Sequence, residues 1–242
     1  MQQPEVAQAT ALEERYAASL AQSNGATLDL SSLRLTELPP LDELAQRFPR
    51  LSHLNIRRNA LRSLPDGLAR AFPQLSSLNA SENALEELPA SSIGALRYLQ
   101  RLNVAHNRLG ELSIATFERH DALEELDARG NLIEKISFDN LDEKLPVGAG
   151  LRKLQVLLLA DNRLRLIDPT TTDVLPKLRV IDLSGNPELS EAPEKLRRLH
   201  ERNLLLHSRA KRRELITRAL SIRKVVAQAL AAAPAASPTR IK

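Results

Sequence analysis

Between residues 27 and 190, apolar and polar side chains alternate over short stretches, and the alternation returns at a nearly fixed distance. The copies "LSHLNIRRNAL" from Leu51, "LSSLNASENAL" from Leu75, "LQRLNVAHNRL" from Leu99, "LEELDARGNLI" from Leu123, "LQVLLLADNRL" from Leu154 and "LRVIDLSGNPEL" from Leu178 align on an asparagine. These are Asn59, Asn83, Asn107, Asn131, Asn162 and Asn186, separated by 24, 24, 24, 31 and 24 residues. An earlier copy, "TLDLSSLRL", carries Leu33 where the asparagine would stand. The alternating part of each copy predicts a short strand whose successive side chains face opposite ways. Leu54 and Ile56, or Leu102 and Val104, are expected in a core, with Asn55 or Asn103 facing out. A unit this short cannot bury its apolar face alone, so successive strands should stack into one parallel sheet. The six aligned asparagines then sit where the chain leaves each strand, and their amides are expected to satisfy backbone groups of adjacent coils.

The second half of each repeat, such as "LRSLPDGLARAFPQ" or "LEELPASSIGALRY", predicts an outer arc of short turns and helical fragments. Thirteen residues after the asparagine stand Phe72, Leu96 and Leu175, expected to fill the core beneath that arc. His120 holds this position in one repeat and reads as a half-buried structural histidine. The longer repeat, 131–161, carries seven extra residues within 138–150, read as a tolerated lengthening of a loop.

The flanks differ from the repeats. Val6, Ala9, Leu12, Tyr16 and Leu20 recur at helical spacing ahead of Ser-Asn-Gly, predicting a capping helix within residues 1–26. Residues 191–233 lack glycine and the asparagine register and read as a helical extension, with 234–242 as a disordered tail. Within the extension Leu215, Ala219, Ile222, Val226, Ala229 and Ala233 draw a narrow apolar stripe, beside Arg209, Arg212, Arg213, Arg223 and Lys224. That pattern fits a solvated cap, a helix that pairs with a partner protein, or a basic face for phosphates or an anionic membrane surface.

Composition agrees with a repeated aliphatic unit. Roughly a fifth of the chain is leucine, about twice the usual share, while only six of 242 residues are aromatic. Residues 190–242 hold 13 Lys or Arg against 4 Asp or Glu, a net of +9. The whole chain is +4, so residues 1–189 sum to −5. No cysteine is present, which excludes disulfides, thiolate metal sites and a cysteine nucleophile. The five histidines form no His-Glu-x-x-His, and no glycine-rich phosphate loop or Gly-x-Ser-x-Gly elbow occurs, so neither a metal nor a cofactor is expected. The first residues lack the pattern of a signal or transit peptide and no long apolar run occurs, so an intracellular, cytoplasmic setting is expected.

The six aligned copies resemble the leucine-rich repeat family, whose segment L-x-x-L-x-L-x-x-N-x-L they match over about residues 27–190. The resemblance implies an α/β solenoid of seven coils, a curved horseshoe with a parallel sheet on its concave face. It also implies a noncatalytic scaffold, or a regulatory or assembly subunit, that binds a protein partner in a hetero-complex. On the concave face the expected contacts are His53, Asn55, Arg57, Asn79, Arg101, Asn103, Asp127, Arg129, Val156, Leu158, Val180 and Asp182. Arg57, Arg101 and Arg129 are the expected charged anchors. Val156, Leu158 and Val180 are expected as an exposed apolar patch, covered by a partner or by the chain's own C-terminal helix. In that helix Arg209, Arg212, Arg213, Leu215, Ile222, Arg223, Lys224 and Val226 are the expected second contact. The alternative is a ribonucleoprotein component, similar to the leucine-rich subunit of a spliceosomal particle, whose basic C-terminal helix meets RNA.

Overall fold

The computed structural model describes residues 3–117, 119–137, 151–167, 171 and 175–205. The chain forms two compact units, 1–200 and 201–242. The insertion at 138–150 and all residues expected as contacts beyond Leu205, from Arg209 to Val226, lie outside the described residues.

A helix, α1 (Gln3–Ser23), precedes a series of three-residue strands. These are β1 (Thr27–Asp29), β2 (His53–Asn55), β3 (Ser77–Asn79) and β4 (Arg101–Asn103), then β6 (Glu125–Asp127), β8 (Val156–Leu158) and β9 (Val180–Asp182). They pair in parallel into one seven-stranded sheet in chain order. Register follows the 24-residue period, with Leu54 beside Leu78 and Leu78 beside Leu102. The middle residue of every strand points into the core, and Leu28, Leu54, Leu78, Leu102, Leu126, Leu157 and Ile181 are all buried. Burying each such side chain stabilises the fold by roughly 1.5–3 kcal/mol.

The chain leaves every strand through a residue of left-handed backbone. These are Ser32, Arg58, Glu82, His106, Gly130, Asp161 and Gly185, at φ between 55° and 67°. The ladder asparagine follows, and its amide closes the junction between coils. In Asn107 the Nδ2 donates to Ala80 O at 3.0 Å and Val104 O at 2.9 Å, and the Oδ1 accepts from Leu85 N at 2.9 Å. Asn59, Asn83, Asn131, Asn162 and Asn186 make the same set of bonds, from Asn59 to Leu30 O and Ile56 O through Asn186 to Leu159 O and Leu183 O. Side-chain amides thus satisfy backbone groups that a buried turn would leave unpaired.

The arcs differ with their proline content. Helices α2 (Leu41–Arg47), α3 (Leu68–Ala71) and α4 (Ala90–Ile93) each follow a Leu-Pro step. The next two arcs lack that proline, and there the chain extends into β5 (Glu111–Ser113) and β7 (Lys135–Ser137), a second parallel pair. Turns and helical fragments alone are expected from the pattern. The extra pair arises because, without proline, the backbone N–H groups stay available to a ladder.

At the N-terminal end, α1 covers the first coil with a face that differs from the expected stripe. Tyr16 is buried against Phe48, with ring centroids 5.4 Å apart, whereas Leu20 is 49% exposed. Ser19 is buried instead, its Oγ donating to Thr27 O. The polar choice has a cause, since the first strand offers a carbonyl that no earlier coil satisfies. Gln8 Nε2 likewise donates to Leu33 O at 2.9 Å, beside the position where the asparagine is missing. At the other end α5 (Glu194–Leu205) follows the last coil, with Leu196 buried in the core.

His120 is fully buried rather than half-buried. Its ring lies edge-on to Phe117, with centroids 5.3 Å apart, and neither ring nitrogen has a hydrogen-bond partner.

Candidate partner-binding surface

Each strand turns its first and third residues to the open face of the sheet, so that face is a grid of columns. The central column runs Asp29, Asn55, Asn79, Asn103, Asp127, Leu158 and Asp182. In six of these seven residues a side-chain oxygen accepts the backbone N–H two residues on. The distances run from 2.8 Å at Asp29 to 3.2 Å at Asn55 and Asp127. Such a turn fixes the bend out of the strand. The sequence pattern assigns Asn55, Asn79, Asn103, Asp127 and Asp182 to a partner. The structure shows each committing one oxygen to its own backbone, because a three-residue strand must end at once. Among the described residues, the Nδ2 groups of Asn79 and Asn103 have no protein acceptor.

The three arginines expected as anchors differ sharply. Arg57 forms a two-nitrogen ion pair with Glu82, which also takes Arg58 Nε at 2.6 Å. The two guanidiniums, Arg58 first, hold the Glu82 carboxyl below its ordinary range. Arg129 clamps Asp127 on its own strand, with Nε at 2.9 Å and Nη2 at 2.7 Å. Both are therefore already paired, Arg57 with a carboxylate that it shares with Arg58. The Arg101 guanidinium makes no ion pair or hydrogen bond among the described residues.

Arg101 stands in register between Ser77 and Glu125. Burial, and then the charge of Asp127, pushes the Glu125 carboxyl above its ordinary range, with Arg101 and Arg129 opposing. His53, two strands away, is pushed down by burial and by the charge of Arg101, and its Nδ1 lies 2.8 Å from Ser52 Oγ. Among the described residues, the open face thus sets Arg101 between Ser77 and the Glu125 carboxyl, with the amides of Asn79 and Asn103 on the same two strands.

The expected apolar patch is a correction. Val156 and Leu158 are only 6% and 7% exposed, although Val180 remains half-buried. Val156 lies between Glu125 and Val180, and Leu158 between Asp127 and Asp182. Alternation gives the direction of a side chain but not how far it is covered.

Among the described residues, no group of His, Asp or Glu is placed to hold a metal, and no helix is long and apolar enough to cross a membrane.

The comparisons with known proteins agree with the geometry. The family model for leucine rich repeats matches residues 73–133 and 147–187. No curated protein matches the sequence at a significant level. Among solved structures, TLR13 in its complex with ssRNA13 matches with a TM-score of 0.58 and 26% identity, over 66% of this chain and 21% of that one. A leucine-rich repeat protein of Leptospira interrogans matches with a TM-score of 0.48 and 26% identity, over 71% of this chain and 46% of that one. The chain thus spans about a fifth of the first and under half of the second. With the asparagine-tied coils, the seven-stranded parallel sheet and the family model matching 73–133 and 147–187, this chain has the fold of a leucine-rich repeat solenoid.

Proposed function

We propose that the protein is a noncatalytic, intracellular scaffold or assembly subunit that binds a partner protein through the open face of its sheet. The observation that carries this reading is Arg101. It is the one expected anchor whose side chain makes no ion pair among the described residues, and free amide groups of Asn79 and Asn103 stand on its own and the preceding strand. An acidic side chain of a partner would find a charge-assisted donor there together with neutral donors. Because Arg57 and Arg129 are internally paired, they contribute shape more than charge. A cytoplasmic setting belongs to the same reading.

Quantitative affinity purification tests it. Arg101→Glu should strip a defined set of partners at least tenfold, with the thermal transition unchanged. A partner set equally depleted by Arg34→Glu, or untouched by Arg101→Glu, removes the open face as the binding surface.

A second reading is supported by charge. Residues 206–242 carry 9 Lys or Arg against 1 acidic residue, and the TLR13 structure holds an RNA. In this reading the segment containing Arg209, Arg212, Arg213, Arg223 and Lys224 contacts RNA. Binding that falls steeply with salt and disappears when those five are changed to Gln supports it. Absence of binding at low salt rejects it.

A further inference from the structure

The turns that lead into the strands are built alike in six coils. In each, the leucine that opens the repeat donates its N–H to the residue three before it. The bonds are Leu51 to Phe48, Leu75 to Phe72, Leu99 to Leu96, Leu123 to His120, Leu154 to Leu151 and Leu178 to Leu175, at 3.0–3.3 Å. The two residues inside each turn therefore occupy equivalent surface positions from coil to coil. They read Pro49-Arg50, Pro73-Gln74, Arg97-Tyr98, Asp121-Ala122, Arg152-Lys153 and Pro176-Lys177.

Charge concentrates in the last two turns. Arg152, Lys153, Lys177 and Arg179 are all exposed, and none has an ion pair or hydrogen bond from its side chain among the described residues. The segments 151–157 and 175–181 contain no Asp or Glu. Gln155 O accepts both Arg179 N and Val180 N at 2.9 Å, so the two turns run side by side, and Lys153 and Lys177 start from equivalent backbone positions about 4.8 Å apart. Four unneutralised cations thus stand on one edge of two adjacent coils.

We infer that this edge is a docking surface for the phosphodiester backbone of a single-stranded nucleic acid, bound without regard to sequence. It uses none of the open-face or C-terminal residues named above, and rests on neither functional reading. The chemistry favours phosphate over an acidic protein. Protein interfaces draw their affinity from buried aromatic and aliphatic anchors, and these two turns present none: their leucines face the core and no aromatic residue occurs in them. Backbone phosphates need only clustered Lys and Arg, whose contacts release counterions. A surface two coils wide also suits a flexible strand, which can bend successive phosphates onto closely spaced cations, better than a stiff duplex. Without an aromatic platform for stacking, binding should be weak and governed by salt.

The test measures fluorescence anisotropy of a labelled 20-nucleotide oligo(U), with oligo(dT), a DNA duplex and an oligoglutamate peptide as comparison probes, against the full-length chain over a range of salt. The quadruple variant Arg152→Gln, Lys153→Gln, Lys177→Gln, Arg179→Gln should bind oligo(U) more than tenfold more weakly at low salt. Its slope of log K against log salt should shrink by about 3, the value for four single-strand phosphate contacts. A control variant with Arg34, Arg62, Arg70 and Arg108 changed to Gln should keep the wild-type slope. A conservative exchange, Arg152→Lys and Lys153→Arg with Lys177→Arg and Arg179→Lys, should retain binding, which separates lost charge from a disturbed fold. Changing Arg209, Arg212, Arg213, Arg223 and Lys224 to Gln tests the C-terminal reading by itself; the quartet's effect must persist in that background. The inference is overturned by an unchanged slope in the quadruple variant, by an equal loss in the control, by no oligo(U) binding at low salt, by preference for the duplex, or by a quartet-dependent interaction confined to oligoglutamate.

Discussion

Leu183 donates its backbone N–H to Nδ1 of His200 at 3.2 Å. The equivalent N–H in every earlier coil donates to a carbonyl of the next strand, from Leu30 to Asn55 O through Leu159 to Asp182 O. Among the described residues no further strand follows β9, and an imidazole nitrogen stands in for the missing carbonyl. The terminal coil therefore ends on a side chain that imitates its neighbour's backbone, which also hinders edge-to-edge pairing.

Replacing His200 by Phe keeps a ring of similar breadth and removes the acceptor. The expected loss is about 1–3 kcal/mol, the usual cost of an unsatisfied amide. Hydrogen exchange should locate it, with the Leu183 amide losing protection while the Ile56 amide keeps it. Equal protection of Leu183 in both proteins would show that the bond contributes nothing.

His120 makes stability depend on pH. Burial pulls its pKa down to about 4 from the ordinary 6.5, with the Ile93 and Phe117 carbonyls and the charge of Asp121 only partly offsetting the desolvation. The folded protein holds the ring neutral while the unfolded chain takes up a proton below about pH 6.5. This contribution is therefore fully present above pH 6.5 and lost as pH falls toward 4, by about 3 kcal/mol in all. His120→Leu supplies the residue that the equivalent Leu96 and Leu175 already provide. Urea denaturation should show the variant more stable at pH 7 by about 1–2 kcal/mol, from removal of two unpaired buried nitrogens. The gap between variant and wild type should widen at pH 4.5. A constant difference across that range would remove His120 as its source.

Asn107 is buried and bonds to groups on both sides of a coil junction. Asn107→Leu leaves Leu85 N and two carbonyls without partners and should cost about 3–5 kcal/mol. The same change at the partly exposed Asn59 should cost less, since water can replace what is lost. Thermal unfolding of the two variants side by side decides the order.

Gly130 and Gly185 both take left-handed backbone, at φ 65° and 67°. A Cβ at Gly130 would strike only the imidazole of His106, an exposed side chain that can swing aside. At Gly185 it would meet the Asp161 carboxylate and also Asp161 N at 3.0 Å and Cα at 3.1 Å, which cannot. Gly130→Ala should cost about 1 kcal/mol, the usual left-handed penalty. Gly185→Ala should cost at least about 1 kcal/mol more, and adding His106→Ala should help only the Gly130 variant. Melting temperatures of the three proteins test this.

The repeat, the strand register and the asparagine ladder are legible in the sequence because each is written several times over, and a period survives local exceptions. What occurs once is not legible. His200 lies 17 residues from its partner and outside any repeat, so no spacing announces it. Leu20 has the right helical phase to be buried, but the edge strand presented a carbonyl that Ser19 answers. The central column was legible as outward-facing, yet whether Asn79 meets a partner or its own Ser81 N–H is decided by the turn, not by alternation. Arg57 read as a free cation because Glu82 lies 25 residues on, in the next coil; Arg129 did because its closure on Asp127, two residues before it, depends on the turn out of the strand.

The junctions at Asn83, Asn107 and Asn131 are chemically interchangeable, each made from the same amide and two backbone carbonyls 24 residues apart. Excising residues 84–107 would join Asn83 to Arg108 and recreate a junction already present in the molecule. The open face can therefore be lengthened or shortened in whole steps of one strand without inventing a new contact. Its size is a variable that gene duplication can count, while its chemistry is set residue by residue in the columns.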